Sequence, residues 1–271
     1  MHYKLLALDL DGTVMDTSLI ISEPVLRAVA MARAHGVRVT LATGRMFGAT
    51  LPFAQTLGVD EPLICYQGAL IRHSRTGEIY EHITMPADLA AEGVALLLQA
   101  GLFVVAYIDE RLCVAERRPE LGLYLQWHPH GAEVVVEPEL PALVATTPPT
   151  KLLFVADPPI VTEQLARLDA HFAGQLEVVR SHQLFGELTA PGISKGAALA
   201  KLAERLGIAR QETIAIGDQE NDLSMIRWAG LGLAMGNAIL EVQAAATAIV
   251  PPITEDGVAW AIERYVLGNR M

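Results

Sequence analysis

Cysteine is almost absent from this chain: its 271 residues include two, Cys65 and Cys113. Two thiols build neither a disulfide framework nor a zinc site. Cys65 lies in the apolar stretch Leu63-Ile64-Cys65-Tyr66 and reads as a small buried hydrophobe. Basic charge is also scarce, with 20 Lys and Arg against 31 Asp and Glu and a net charge of −11. A surface of that sign repels a phosphate backbone, which argues against nucleic acid as a partner. Long hydrophobic runs are missing too. Hydrophobic residues make up 52% of the chain, more than is usual for a globular protein, but they fall in short Ala/Leu/Val runs that cannot span a bilayer. The first apolar run meets an acid at Asp9, too early for a secretory signal. The expectation is a cytoplasmic protein with no membrane partner, a monomer or small homo-oligomer, with enough chain for one large domain or two smaller ones.

What the sequence does contain is alternation. Strand-like runs at Lys4–Leu10, Gly36–Ala42 and Pro62–Tyr66 are separated by helical patterns. The first helix, Ser22 to His35, has Ser22 as N-cap, Pro24 in its first turn and Gly36 as its stop. The pattern returns near the other end. A helix at Ser194–Leu206 is closed by Gly207, a strand at Glu212–Ile216 runs into Gly-Asp, and a helix starts near Asn221. A strand at Leu231–Ala234 and a helix around Gly257–Leu267 follow. Such alternation predicts an α/β fold, a doubly wound parallel sheet covered by helices on both faces. Leu70–Ile83 predicts a hairpin about Ser74-Arg75-Thr76-Gly77. The middle of the chain mixes helices and strands between Pro-rich joints and is more acidic. Residues 84–187 hold 14 acids and 6 bases, the remainder 17 and 14. The expected organisation is a core domain of residues 1–83 and 188–271 with an α/β cap domain inserted at 84–187.

Four short strings sit at strand or helix ends of the core. Leu8-Asp9-Leu10-Asp11-Gly12-Thr13 closes the first strand. Taken alone it has a second, minority reading as a strand running into an Asp-Gly turn. Leu41-Ala42-Thr43-Gly44-Arg45 closes the second, where a hydroxyl and free backbone N–H groups suit a phosphate, or simply cap a helix. Gly192-Ile193-Ser194-Lys195-Gly196 places a lysine in a first helical turn, where the helix dipole disfavours a cation. That lysine is either solvated or paired with an anion. Ile216-Gly217-Asp218-Gln219-Glu220-Asn221-Asp222 spaces two carboxylates four residues apart, as ligands of a hard cation or as an N-cap with first-turn acids. The combination favours chemistry. In open α/β sheets ligands bind beyond the carboxyl ends of the strands, so these groups converge on one edge. Asp9, Asp11, Asp218 and Asp222 then concentrate negative charge that needs Lys195 and a divalent cation to stay ionised.

The order D-x-D-G-T, T-G-R, a distant Lys and G-D-x-x-N-D resembles the haloacid-dehalogenase superfamily, and the large insert resembles its Cof-type phosphatases of subclass IIB. The resemblance spans essentially the whole chain and implies a Rossmann-like core, a Mg2+ cofactor and a small phosphorylated metabolite as substrate. It implies Asp9 as nucleophile and magnesium ligand, and Asp11 as general acid-base that also ligates through its backbone carbonyl. It implies Thr43, Gly44, Lys195 and Asn221 around the phosphoryl group, Asp218 as a further metal ligand, and Asp222 supporting the metal site. One departure is Gln67-Gly68-Ala69, where many relatives have Asn-Gly-Ala, which affects a substrate contact rather than the chemistry. Arg45 is the better candidate for a substrate contact. Tyr107, Trp127 and His128 are weaker candidates in the insert, as is His128-Pro129-His130 for a metal. Two other activities fit parts of this pattern: a phosphomutase of the same superfamily, and a non-catalytic phosphate-binding protein. The latter has no use for Asp9, Asp11 and Lys195 together.

Overall fold

Leu5–Leu8 (β1) is buried at every position, as a strand covered on both faces must be. A computed structural model describes residues 3–126 and 132–268. The chain divides into two units, one of residues 1–45, 50–80 and 194–271, the other of residues 46–49 and 81–193.

In the first unit β1 lies between Arg38–Leu41 (β2) and Thr213–Gly217 (β12), followed outward by Leu231–Ala234 (β13) and Ala248–Ile249 (β14). The sheet order is β14-β13-β12-β1-β2, with every pairing parallel. A parallel bridge from Ala42 to Ile64 attaches Pro62–Cys65 (β3), which turns back antiparallel into Leu70–His73 (β4). Ile79–His82 (β5) completes the expected hairpin.

Helix Glu23–Ala34 (α1) begins where Ser22 Oγ accepts from Val25 N, and Gly36 leaves it in the left-handed region at φ +82°. Phe47–Thr56 (α2) follows the second string. Lys195–Arg205 (α7) packs Ala198, Leu199 and Leu202 against Leu5, Ala7 and Ala215. Leu6 and Leu8 alternate to the opposite face and are equally buried. Leu223–Trp228 (α8), Leu240–Ala245 (α9) and Gly257–Ala261 (α10) complete the unit. The chain leaves β1 toward β2 on one side and returns to β12 on the other, so the sheet reverses its winding at β1, the point beyond whose strand ends ligands bind in open α/β sheets.

The second unit is a six-stranded sheet. Its strands are Phe103–Ile108 (β6), Arg111–Val114 (β7), Glu133–Val136 (β8), Lys151–Val155 (β9), Glu177–His182 (β10) and Phe185–Thr189 (β11), in the order β10-β11-β9-β6-β7-β8. Only β7 and β8 pair in parallel. Ala87–Gln99 (α3), Leu140–Thr146 (α5) and Pro158–Phe172 (α6) bury Val94, Leu97, Val144, Leu168 and Phe172 with Ala106, Leu152, Phe154 and Leu188 of the sheet. Pro119–Leu125 (α4) is a further short helix.

The unit runs 81–193 where the sequence suggested 84–187, because β11 is hydrogen-bonded between β9 and β10, and a boundary at 187 would cut through it. Among the described residues no helix is long and apolar enough to cross a membrane.

Candidate active site

The first string does follow a buried strand. Asp9 comes directly after β1, its N–H donating to Ile216 O of β12 at 3.0 Å, and it is 5% exposed. Lys195, the first residue of α7, is 1% exposed. Its Nζ donates to Asp9 Oδ1 and to Asp222 Oδ1, each at 2.6 Å. The lysine at a helix N-terminus is therefore paired, not solvated. Asp222 Oδ2 accepts from the N–H groups of Asp218 and Gln219 at 2.8 and 3.0 Å, so its carboxylate both closes the Gly217–Asp222 turn and holds the lysine. Asp218 sits opposite, accepting from Thr13 Oγ1 at 2.9 Å and Gln219 Nε2 at 3.1 Å. The backbone fits closely around these acids. A Cβ on Gly12, which has φ +85°, would collide with the Asp218 carboxylate, and one on Gly217 would meet Asp222.

Asp9, Asp218 and Asp222 each place a carboxylate oxygen within 4.8 Å of the others. One lysine does not balance three buried anions. Burial first, and then repulsion from Asp222, pushes the Asp9 carboxyl well above its ordinary value, against the pull of Lys195. Asp218 is pushed up to about 7, by burial and then by Asp222, although bonds from Thr13 and Gln219 pull it down. Burial opposes the charge on Lys195, but Asp222 and Asp9 outweigh it and raise the ammonium above its usual range. An all-oxygen, over-anionic buried cluster is a donor set for a hard divalent cation.

Asp11 is not in this cluster. Its side chain is held by Arg45, with Nε donating to Oδ2 at 2.8 Å and Nη2 to Oδ1 at 2.6 Å. The fork is 6% exposed on the arginine side and 39% on the aspartate side. The expected substrate arginine thus grips Asp11 in a bidentate charge-assisted pair.

Thr43 is buried, and its Oγ1 accepts from Arg45 N at 3.1 Å. Asn221 Nδ2 donates to Gln67 Oε1 at 3.0 Å. Asn221 Oδ1 is buried without a hydrogen-bond partner.

Two contributors had no role in the sequence reading. Thr13, the last residue of the first string, orients Asp218. Asn237 donates to Gly12 O at 2.8 Å and accepts from Ile253 N at 2.9 Å, securing the turn after Asp11. Asn237 follows β13 and is a polar group beyond the carboxyl end of yet another central strand, the signal that marked three of the four strings. In the second unit Tyr107 is buried, with its hydroxyl bonded to that of Tyr124 and its ring 4.6 Å from Lys151 Nζ. Trp127, His128, Pro129 and His130 lie outside the described residues.

Residues 6–262 match the family model of haloacid dehalogenase-like hydrolases. A 5-amino-6-(5-phospho-D-ribitylamino)uracil phosphatase of Bacillus subtilis (strain 168) is 31% identical over 270 residues, covering 97% of this chain and 96% of its own. A pyridoxal phosphate phosphatase of Escherichia coli (strain K12) is 28% identical, covering 98% and 100%. Among solved structures, a haloacid dehalogenase-like hydrolase from Bacteroides thetaiotaomicron superposes with a TM-score of 0.84 at 30% identity, over 97% of this chain and 99% of that one.

Proposed function

We propose that this chain, which belongs to the haloacid dehalogenase-like hydrolases, is a Cof-type phosphatase with a large α/β cap and hydrolyses small phosphate monoesters in two steps through a phosphorylated Asp9. The observation that carries this reading is the buried trio of Asp9, Lys195 and Asp222 with Asp218 beside it, at the carboxyl ends of β1 and β12.

A carboxylate is a weak nucleophile, so the site must work by positioning and charge compensation. Asp9 attacks phosphorus while the bond to the leaving oxygen breaks. Asp11 gives that oxygen its proton. Water then attacks the aspartyl phosphate, Asp11 takes the water's proton, and Asp9 and inorganic phosphate are released. Lys195 and Thr43 meet the charge that spreads over the equatorial oxygens. For Asp11 to act, the Arg45 fork has to release it or turn with it, which links substrate entry to the proton step. Asp9, Asp218 and the Asp11 carbonyl would hold magnesium, with Asp222 supporting them. When bound, the ion supplies the positive charge that the cluster lacks and offsets repulsion between carboxylate and phosphate.

The relatives named above act on a phosphorylated ribitylaminouracil and on pyridoxal phosphate, so the substrate class proposed here is a phosphorylated metabolite of that size. The inserted unit is proposed to select among such esters, since the four strings deal with phosphate and metal alone.

The test is acid quenching during turnover of a small phosphate ester with magnesium, followed by mass spectrometry of peptides. A phosphoryl group on Asp9, with stoichiometric release of inorganic phosphate, is the expected result. Phosphate release with no labelled Asp9 would overturn the two-step route, and a positional isomer of the ester in place of free phosphate would favour a mutase.

A further inference from the structure

The three residues after β3 have left-handed backbone in succession: Tyr66 at φ 51°, Gln67 at φ 60° and Gly68 at φ 110°. L-residues other than glycine adopt this region at a cost, and two in a row persist only where the surroundings over-determine them. The surroundings here are the functional strings themselves. Tyr66 N donates to Arg45 O at 3.0 Å and Gln67 N to Thr43 O at 3.1 Å. A side chain on Gly68 would run into Ser194 O, at the start of the helix that carries Lys195. The Gln67 side chain is 2% exposed. Its Oε1 accepts from Asn221 Nδ2, and its Nε2 lies so close over Gly44 that a Cβ there would collide with it.

We propose that Gln67 is a positioning residue that fixes the Asn221 carboxamide and joins it to the Thr43-Gly44 loop, so that both present their polar groups to the phosphoryl group as one cradle. The inference rests on the phosphatase reading above. Its physical core is the Gln67–Asn221 bond: with one Nδ2 proton committed to Gln67 Oε1, the Asn221 amide cannot rotate freely, and its second Nδ2 proton is held in place as a donor to a phosphoryl oxygen. The length of the glutamine matters, because the same amide one methylene shorter does not reach from this backbone position to both Gly44 and Asn221. Gly44 is glycine for the matching reason, and its own φ lies outside the left-handed region.

The experiment measures kcat and KM for p-nitrophenyl phosphate with magnesium, the inhibition constant of inorganic phosphate, and Tm. The proteins are wild type, Gln67→Leu, Gln67→Asn, Asn221→Ala, Gln67→Leu with Asn221→Ala, Gly44→Ala, and Gly44→Ala with Gln67→Ala. Gln67→Leu and Asn221→Ala are each expected to raise KM and the phosphate inhibition constant about tenfold with Tm little changed, and the double variant to be no worse than either single one. Gln67→Asn, which tolerates the same backbone, should fall between wild type and Gln67→Leu. Gly44→Ala should reproduce the Gln67→Leu defect, and Gln67→Ala should suppress the further cost of the added methyl. A double variant near a hundredfold, or Gln67→Leu within twofold of wild type, would overturn the coupling. If Gln67→Leu does not fold, the Gly44→Ala pair decides the question: a methyl at residue 44 that costs the same with and without the Gln67 side chain refutes the contact. A wild type that hydrolyses no phosphate ester sinks the phosphatase reading and is a separate outcome.

Discussion

Each unit buries a lysine against carboxylate, and the two cases differ in arithmetic. In the second unit Lys151 and Glu187 form one pair at 2.9 Å, with side chains 2% and 3% exposed. Ser181 Oγ donates to Glu187 at 2.7 Å, and the ammonium lies over the Tyr107 ring. One positive charge meets one negative in this ion pair, and a neutral hydroxyl and an aromatic ring add to it. In the first unit Lys195 meets Asp9 and Asp222 at once, with Asp218 close by. A balanced pair is a complete arrangement that needs nothing further. An over-anionic cluster is incomplete, and it has the charge of a site that could hold a cation.

The largest expected difference is in turnover. Lys195→Met should lower kcat/KM for a phosphate ester by at least about a thousandfold, the scale of losing a group that faces transition-state charge. Asp9→Asn should do the same in a protein that remains folded. Steady-state kinetics with circular dichroism check both. Activity within tenfold of wild type for either would remove that residue from the chemistry.

Next in size is the effect of breaking the balanced pair. Lys151→Met leaves the buried Glu187 carboxylate without its counter-charge, which costs about 3–5 kcal/mol and lowers Tm on the order of 10 °C. Adding Glu187→Leu should restore most of that stability, since an apolar pair of similar volume replaces a salt bridge at little cost. Scanning calorimetry decides this, and a double variant as unstable as the single one would mean that the pair does more than balance itself.

Neutralising one acid then separates the units by sign. Asp218→Asn removes excess charge and should raise the Tm of magnesium-free protein at pH 8 by about 2–4 °C, the scale of 1 kcal/mol in a chain of this size, while abolishing the response to magnesium. Glu187→Gln strands the Lys151 charge and should lower Tm. If both changes destabilise, the distinction between complete and incomplete burial fails.

The smallest effect is a slope. Asp218 is raised from 3.8 to about 7 in the folded chain, so the native state holds a proton that the unfolded chain gives up near pH 4. Stability of the magnesium-free protein should therefore fall as pH rises through that window, by at least about 2 °C in Tm. Saturating magnesium should flatten the slope. A magnesium-free Tm that climbs between pH 4 and 7 in the wild type, and climbs equally in Asp218→Asn, would contradict the assignment.

The periodic elements of the first unit were legible because their signals are local. Ser22, Pro24 and Gly36 bracket α1 within a residue, and the strand at Leu231–Ala234 stands where its apolar run does. The small outer elements were not. β14 is two residues long and α9 six, too short for periodicity to register; β14 forms because β13 offers it ladder bonds, and α9 is seated by its buried Val242. Within the site the same line divides what was visible. Asp9, Asp218, Asp222 and Lys195 stood out because charged residues at the ends of apolar strands are costly without a partner. Asn237 did not, since a lone amide after a strand has many uses, and Thr13 was hidden inside a string whose aspartates drew attention.

Composition, patterning and the four strings by themselves determined the parallel α/β core, the acids that gather at its strand ends and the need for a counter-charge, because each follows from short-range sequence and from the cost of burying charge. Only the tertiary structure decided which charges meet. It gave Lys195 to two carboxylates instead of one, turned Arg45 onto Asp11, fastened Asn237 to the turn after Asp11, and brought Gln67 from after β3 against Asn221 from after β12. Those pairings join residues up to 225 positions apart, and they exist because the parallel order β12-β1-β2, with β3 attached beyond β2, lines up the carboxyl ends of strands that are remote in sequence, so that the loops leaving them share one edge.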